Sequence, residues 1–134
     1  MELKPIAEMK SYLLLGTFFA LTAVILGAFG SHSLKNKIEK RYLDAFEIGV
    51  RYQLAHGLAL LIISITALFF TSKFISISQI LMCLGTFVFS ASLYLYALSG
   101  NSFFGMVTPI GGTLLIAGWV FYVLAIYIDL PGGY

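Results

Sequence analysis

Charge is what this chain lacks most. From Phe74 to Ile128 there are 55 consecutive residues without an Asp, Glu, Lys, Arg or His. A soluble domain excludes such a run, because part of it would have to face water. A single helix of that length would reach about 80 Å, against a hydrocarbon core of about 30 Å, so the run must fold back at least once inside a membrane. Over the whole chain only 10% of residues are charged, where a globular protein has about 25%. The net charge of +2 comes from basic residues near the ends of apolar segments. That distribution points to a membrane surface and away from nucleic acid. The single Cys83 excludes an intrachain disulfide. It sits in an apolar run, so an inert buried thiol is the plain reading and a redox or acylation site the alternative. There is also no metal-ligand spacing, no phosphate loop and no nucleophile motif, and Gly111-Gly112 is too little to suggest phosphate binding.

What is present predicts an all-α fold in one domain, residues 1–134. Its architecture is an integral membrane four-helix bundle. The first span is expected near 12–30. Lys4 and Lys10 precede it, but its apolar run is longer than the core of a secretory signal, so it is read as a retained span. The second lies near 52–71. The uncharged run divides at Ser99-Gly100-Asn101-Ser102, a cluster of turn formers, into spans near 76–98 and 108–128. Thr108 as a cap and Pro109 at the first helical position mark the start of the fourth, and Asp129, Pro131, Gly132 and Gly133 its end. Small residues at Gly16, Ala20, Ala23, Gly27 and Gly30 share one face of span one, and Gly111 and Gly118 recur in span four. In lipid such stripes allow close helix packing, here within the bundle, with self-association as the alternative.

The connector between spans one and two is different. It holds Lys35, Lys37, Lys40, Arg41 and Arg51, with three of the six acids. Ile38, Tyr42, Ala45, Phe46, Gly49 and Val50 recur at helical spacing, which predicts an amphipathic interfacial helix near 36–51. Glu47 stands four residues before Arg51, the favourable order for a helical ion pair. The connector is an anchor on the plain reading, and a lipid-headgroup or partner site on the sharper one. Five basic residues on this side against Lys4, Lys10 and Lys73 on the other put the connector in the cytoplasm and both termini outside.

The polar residues converge on the connector side. His32 follows span one, and His56 is read as one turn into span two at similar depth, with Gln53 and Arg51 nearby. Ser90, Ser92, Tyr94, Tyr96, Ser99 and Thr108 come from the ends of spans three and four. An unpaired polar group in hydrocarbon costs several kcal/mol, so these side chains should point inward and bond one another. The cluster His32, Arg51, Gln53, His56, Ser92, Tyr96 and Thr108 is therefore either a knot that fixes helix packing or a ligand or proton-handling pocket. A third reading has the two histidines as axial ligands of a haem, although nothing in their spacing requires it and no cofactor is predicted.

The segments Gly27-Ala28-Phe29-Gly30-Ser31-His32, Arg51-Tyr52-Gln53 with His56, Phe89-Ser90-Ala91-Ser92-Leu93-Tyr94, and Thr108-Pro109-Ile110-Gly111-Gly112 running to Gly118-Trp119 resemble one family. It is the small bacterial membrane-protein family called uncharacterised protein family 0382, or domain of unknown function 423, to which the eukaryotic transmembrane protein 256 is similar. The resemblance covers nearly the whole chain after the first ten residues. Ser31 stands where the family usually has Ala, and Ala91 where Gly is usual. The resemblance implies a four-span protein of the bacterial cell membrane and no assigned activity. Three classes of function stay open. One is a non-enzymatic accessory, assembly or stability component of a larger membrane complex. The second is a small oligomeric transporter or channel. The third is a haem-, quinone- or lipid-binding protein, or an enzyme on such a substrate, using His32 and His56.

Overall fold

A computed structural model describes residues 6–130. Lys4, counted above for orientation, and Pro131, Gly132 and Gly133, read as stops, lie outside the described residues. The four helices are α1 (Ile6–Phe29), α2 (Lys40–Thr66), α3 (Lys73–Ser99) and α4 (Ser102–Asp129). All four are long and apolar enough to cross a membrane, and among the described residues there is no strand. A π-helical turn, Gly30–Leu34, extends α1, and a 3₁₀ turn, Ala67–Phe69, follows α2.

Besides α1 beginning at Ile6 rather than near residue 12, and α2 ending at Thr66 rather than near 71, two differences from the sequence expectation bear on the site. The fourth helix starts at Ser102, not at Thr108. Gly100 ends α3 in the left-handed conformation (φ 68°), its N–H bonded to the Tyr96 carbonyl at 2.9 Å. Asn101 then caps α4, its side chain accepting from Phe103 N–H at 3.0 Å. Two residues thus complete the turn. Thr108 has no capping role because its hydroxyl bonds the Phe104 carbonyl and Ser92. Pro109 is taken up inside the helix, where the carbonyl of Gly105 loses its usual N–H partner.

The second difference is the connector. Its residues from Lys40 on are helical, as their spacing predicts, but they are the first three turns of α2 and not an element of their own. No proline interrupts the helix. Their apolar face packs against protein: Phe46 is buried with Leu34 and Ala97, and Tyr42, Val50 and Tyr94 pack around them. The Glu47–Arg51 ion pair is not made either. Arg51 Nε donates to the Glu47 backbone carbonyl at 3.4 Å, while the ion pairs among the described residues are Lys40–Asp44 at 2.7 Å and Arg41–Glu39 at 2.9 Å.

Substantial packing joins chain neighbours: α1 with α2, α2 with α3, and α3 with α4. The central pair α2–α3 is therefore flanked by α1 on one side and α4 on the other. The close approaches rest on missing side chains. A Cβ at Gly16 would stand 2.9 Å from the Gly57 carbonyl, and one at Gly57 only 3.0 Å from Ala20 N. Higher up, Gly27 meets Val50 and Gly30 meets Phe46, with Ala23 fully buried between. The small face of α1 thus lies on α2. A Cβ at Gly111 would fall onto the Phe89 backbone, whereas one at Gly118 would meet the flexible Met82 side chain at 3.2 Å.

At the other end, Asp129 closes the molecule. Its carboxylate accepts from Ser72 N–H at 3.0 Å and from the Ser72 and Thr71 hydroxyls. The last residue of α4 thereby places a negative charge at the N-terminus of α3, where the helix dipole favours it.

The glycine geometry separates two substitutions. Gly111→Ala is expected to destabilise the protein by about 1–3 kcal/mol, because backbone must move. Gly118→Ala is expected to be nearly neutral, since Met82 can repack. Thermal unfolding of both variants in the same detergent checks the difference.

Candidate functional site

Gln53 is the polar centre of the molecule. It is buried on α2 and reaches both neighbours. Its Nε2 donates to the Phe19 carbonyl at 3.0 Å and to Thr22 Oγ1 at 2.6 Å on α1. Its Oε1 accepts from the Tyr94 hydroxyl of α3 at 2.8 Å. The Phe19 carbonyl can only accept, which fixes the amide orientation. One turn before Gln53, Ser90 of α3 donates to the Gly49 carbonyl at 2.8 Å. Gly49 leaves room for this, as a Cβ there would stand 2.8 Å from the Tyr94 ring. Thr22 in turn donates to the Phe18 carbonyl at 2.7 Å, so all three side chains of the Gln53 group are engaged. A groove of about 230 Å³ opens above the group between α1 and α3, walled by Phe18, Leu26 and Phe87.

The remaining residues of the expected cluster divide into separate places. Ser92 and Thr108 exchange a hydrogen bond at 2.8 Å and join α3 to α4. Tyr96 packs edge-on against Tyr42, ring centres 5.3 Å apart. Arg51 is exposed on the outer face of α2, in a groove with Gly27 and Gly30. His32 is exposed on the π turn.

His56 faces α4. Trp119 Nε1 donates to its Nε2 at 3.1 Å. An indole N–H only donates, so Nε2 accepts, and in the neutral ring the proton sits on Nδ1, which lies 2.8 Å from the Tyr52 carbonyl. The imidazole stacks on Tyr52 at 5.6 Å, and Tyr52 stacks on Phe89 at 4.4 Å. The two histidines are not at similar depth. Because α2 begins at Lys40, His56 lies more than four turns into it, level with Gly16 and Ala20 through its neighbour Gly57. His32 lies twelve residues beyond Ala20, about 18 Å further along the axis at 1.5 Å per residue.

Other polar contacts were not singled out from the sequence. Ser78 donates to the Gly118 carbonyl at 2.8 Å. Gln79, almost fully buried, points its Nε2 at Ser64 Oγ across 3.4 Å. Thr66 and Tyr122 meet at 3.1 Å. Thr22 was not singled out either, and Trp119 and Asp129 were read only as part of a family-like segment and as a helix stop. A signal existed for Asp129, the one acid after the long uncharged run, and for Gln79, the one amide inside a span of hydrophobic and hydroxyl residues. Among the described residues, no three His, Cys, Asp or Glu gather where they could hold a metal, and no buried side-chain nitrogen or oxygen lacks a hydrogen-bond partner.

A family model described as "Protein of unknown function (DUF423)" matches residues 26–112. A UPF0382 membrane protein of Staphylococcus aureus is 41% identical over 119 residues, covering 89% of this chain and 97% of that protein. One from Staphylococcus haemolyticus is 39% identical with the same coverage. The UPF0382 membrane protein YwdK of Bacillus subtilis is 38% identical over 122 residues, covering 87% of this chain and 96% of its own length. No solved structure matches.

The hydrogen bonds of Gln53 can be weighed by substitution. Bonds between membrane helices are worth about 0.6 kcal/mol on average and up to about 1.7. Gln53→Leu, which removes three, is expected to cost about 2 kcal/mol, and Tyr94→Phe about 1. The double variant should lose less than the sum, because the two share a bond. Unfolding midpoints of the four proteins in one detergent measure the coupling.

Proposed function

This chain belongs to the DUF423 family, whose relatives here are UPF0382 membrane proteins, and on that premise we propose that it is a non-enzymatic component of a larger membrane assembly, with an accessory or stabilising role. One observation carries the reading. Among the described residues the buried polar side chains are engaged in bonds within and between helices, and no buried side-chain nitrogen or oxygen is left without a partner to act as a reacting or ligating group. Its outer helices α1 and α4 turn apolar faces outward, with Leu21, Val24, Ile116 and Val123 among the exposed residues. Such faces can meet lipid or the helices of a partner.

The other classes have less support. Coupled ion transport usually relies on a membrane-embedded carboxylate or cation, and the spans formed from Phe74 to Ile128 carry no Asp, Glu, Lys, Arg or His. Catalysis or haem ligation by a histidine pair is disfavoured by their separation along the bundle and by the engagement of both His56 nitrogens. The basic residues of the connector support a cytoplasmic location for residues 35–51, with both termini outside.

Purification of tagged full-length protein in mild detergent tests this reading. The expected result is recovery with a larger membrane protein in fixed proportion. Migration only as a free 14.7 kDa chain or as a homo-oligomer overturns it. Val24→Trp and Val123→Trp, on the two outer faces, are expected to keep the thermal midpoint, and the one on the docking flank to reduce that recovery.

A further inference from the structure

The groove beside the π turn has an apolar floor and a charged rim. Gly27, Gly30, Phe46 and Val50 form the floor, and Glu47 and Arg51 stand on the rim. It is an open groove of about 350 Å³. The depth comes from the two glycines of α1, where any Cβ would press on Val50 or Phe46 at 3.1–3.2 Å. The π turn follows immediately at Gly30, and such turns recur at functional sites.

The rim charges are available. Both side chains are exposed, and among the described residues neither is in a salt bridge. The guanidinium commits only Nε, to the Glu47 carbonyl at 3.4 Å, leaving its two terminal nitrogens for a ligand. One helical turn separates the Cα atoms of Glu47 and Arg51, about 6 Å along the axis, and the guanidinium folds back toward Glu47.

Depth places the pair at a headgroup. Ser90, bonded to Gly49, lies seventeen residues above Lys73, about 26 Å at 1.5 Å per residue. Glu47 and Arg51 flank Gly49 on α2, so they stand near the far edge of a hydrocarbon core of about 30 Å. The floor then faces acyl chains and the rim faces phosphates.

We propose that this groove binds a phospholipid with a zwitterionic, primary-amine headgroup, its phosphate on Arg51, its ammonium on Glu47 and its glycerol and upper acyl chain over Gly27, Gly30 and Phe46. Guanidinium and phosphate match as a fork of donors on a cluster of acceptors. The carboxylate sets the choice of lipid. It repels a headgroup that is only anionic, and it can accept a hydrogen bond from an ammonium but not from a trimethylammonium. The proposal goes beyond the accessory role above and does not depend on it.

Native mass spectrometry of the full chain, released from bilayers holding equal amounts of phosphatidylethanolamine, phosphatidylcholine and phosphatidylglycerol, tests it. A charge-assisted hydrogen bond is worth enough to give about tenfold retention of the ethanolamine lipid over either competitor. Arg51→Gln is expected to lose retention of all three. Glu47→Gln is expected to keep phospholipid but bring the ethanolamine-to-glycerol ratio to about one, because the ammonium loses its charged partner. Lys37→Gln, a basic residue that does not line the groove, should match the unaltered chain. Helix content and melting of each variant, all at exposed positions, confirm that the comparison is between folded proteins. Preference for phosphatidylglycerol, no preference, retention unaffected by Arg51→Gln or Glu47→Gln, or equal loss in Lys37→Gln would each overturn the proposal.

Discussion

One side-chain amide joins three of the four helices. Gln53 sits on the central helix α2, donates twice to α1 and accepts once from α3. In a membrane this matters more than its energy suggests. Lipid tails are as apolar as leucine, so burial of apolar surface does little to choose one helix packing over another. A buried amide must find partners, and the observed placement of Phe19, Thr22 and Tyr94 provides them together. Specificity here comes from the cost of the alternatives.

The rest of the architecture follows from that placement. With α1 and α3 both held to α2, α4 packs on the free side of α3 along the Gly111–Phe89 and Gly85–Leu115 approaches. Hydrogen bonds repeat the device on a smaller scale, Ser92 to Thr108 and Ser78 to the Gly118 carbonyl. Reach across to α2 falls to two long aromatic residues, Trp119 at His56 and Tyr122 at Thr66. Asp129 fixes the end, tying the last turn of α4 to the loop before α3. The outer faces of α1 and α4 carry no such ties and stay apolar.

Much of this was legible in the residues. The uncharged run, the turn at Gly100-Asn101 and the small face of span one follow from membrane thickness and from the sterics of glycine. Helix ends were harder. Thr108-Pro109 and Asn101-Ser102 are both good start signals, and the choice depends on Gly100 closing α3 just before Asn101. The site was half legible. Gln53 stood out as an amide in an apolar span, but its partners could not be chosen from periodicity without a rotation angle. Ser90 and Tyr94 share one face of α3; Ser92 and Tyr96, two residues on, point about 200° away at 3.6 residues per turn, and they bond or pack elsewhere. His32 and His56 looked level only while the connector was counted as a separate helix. Once α2 starts at Lys40, the depth of His56 changes by three turns.

The central claim is that Gln53 holds α1 in its observed place on α2. Solid-state NMR on selectively labelled protein in lipid bilayers tests it directly, through dipolar transfer between the Gln53 side-chain nitrogen and the Phe19 carbonyl carbon. The nitrogen lies 3.0 Å from that carbonyl's oxygen, so strong transfer is expected, with side-chain amide protons that resist exchange with water. Absence of this transfer, in a sample where the backbone contact between Gly16 and Gly57 is present, would contradict it.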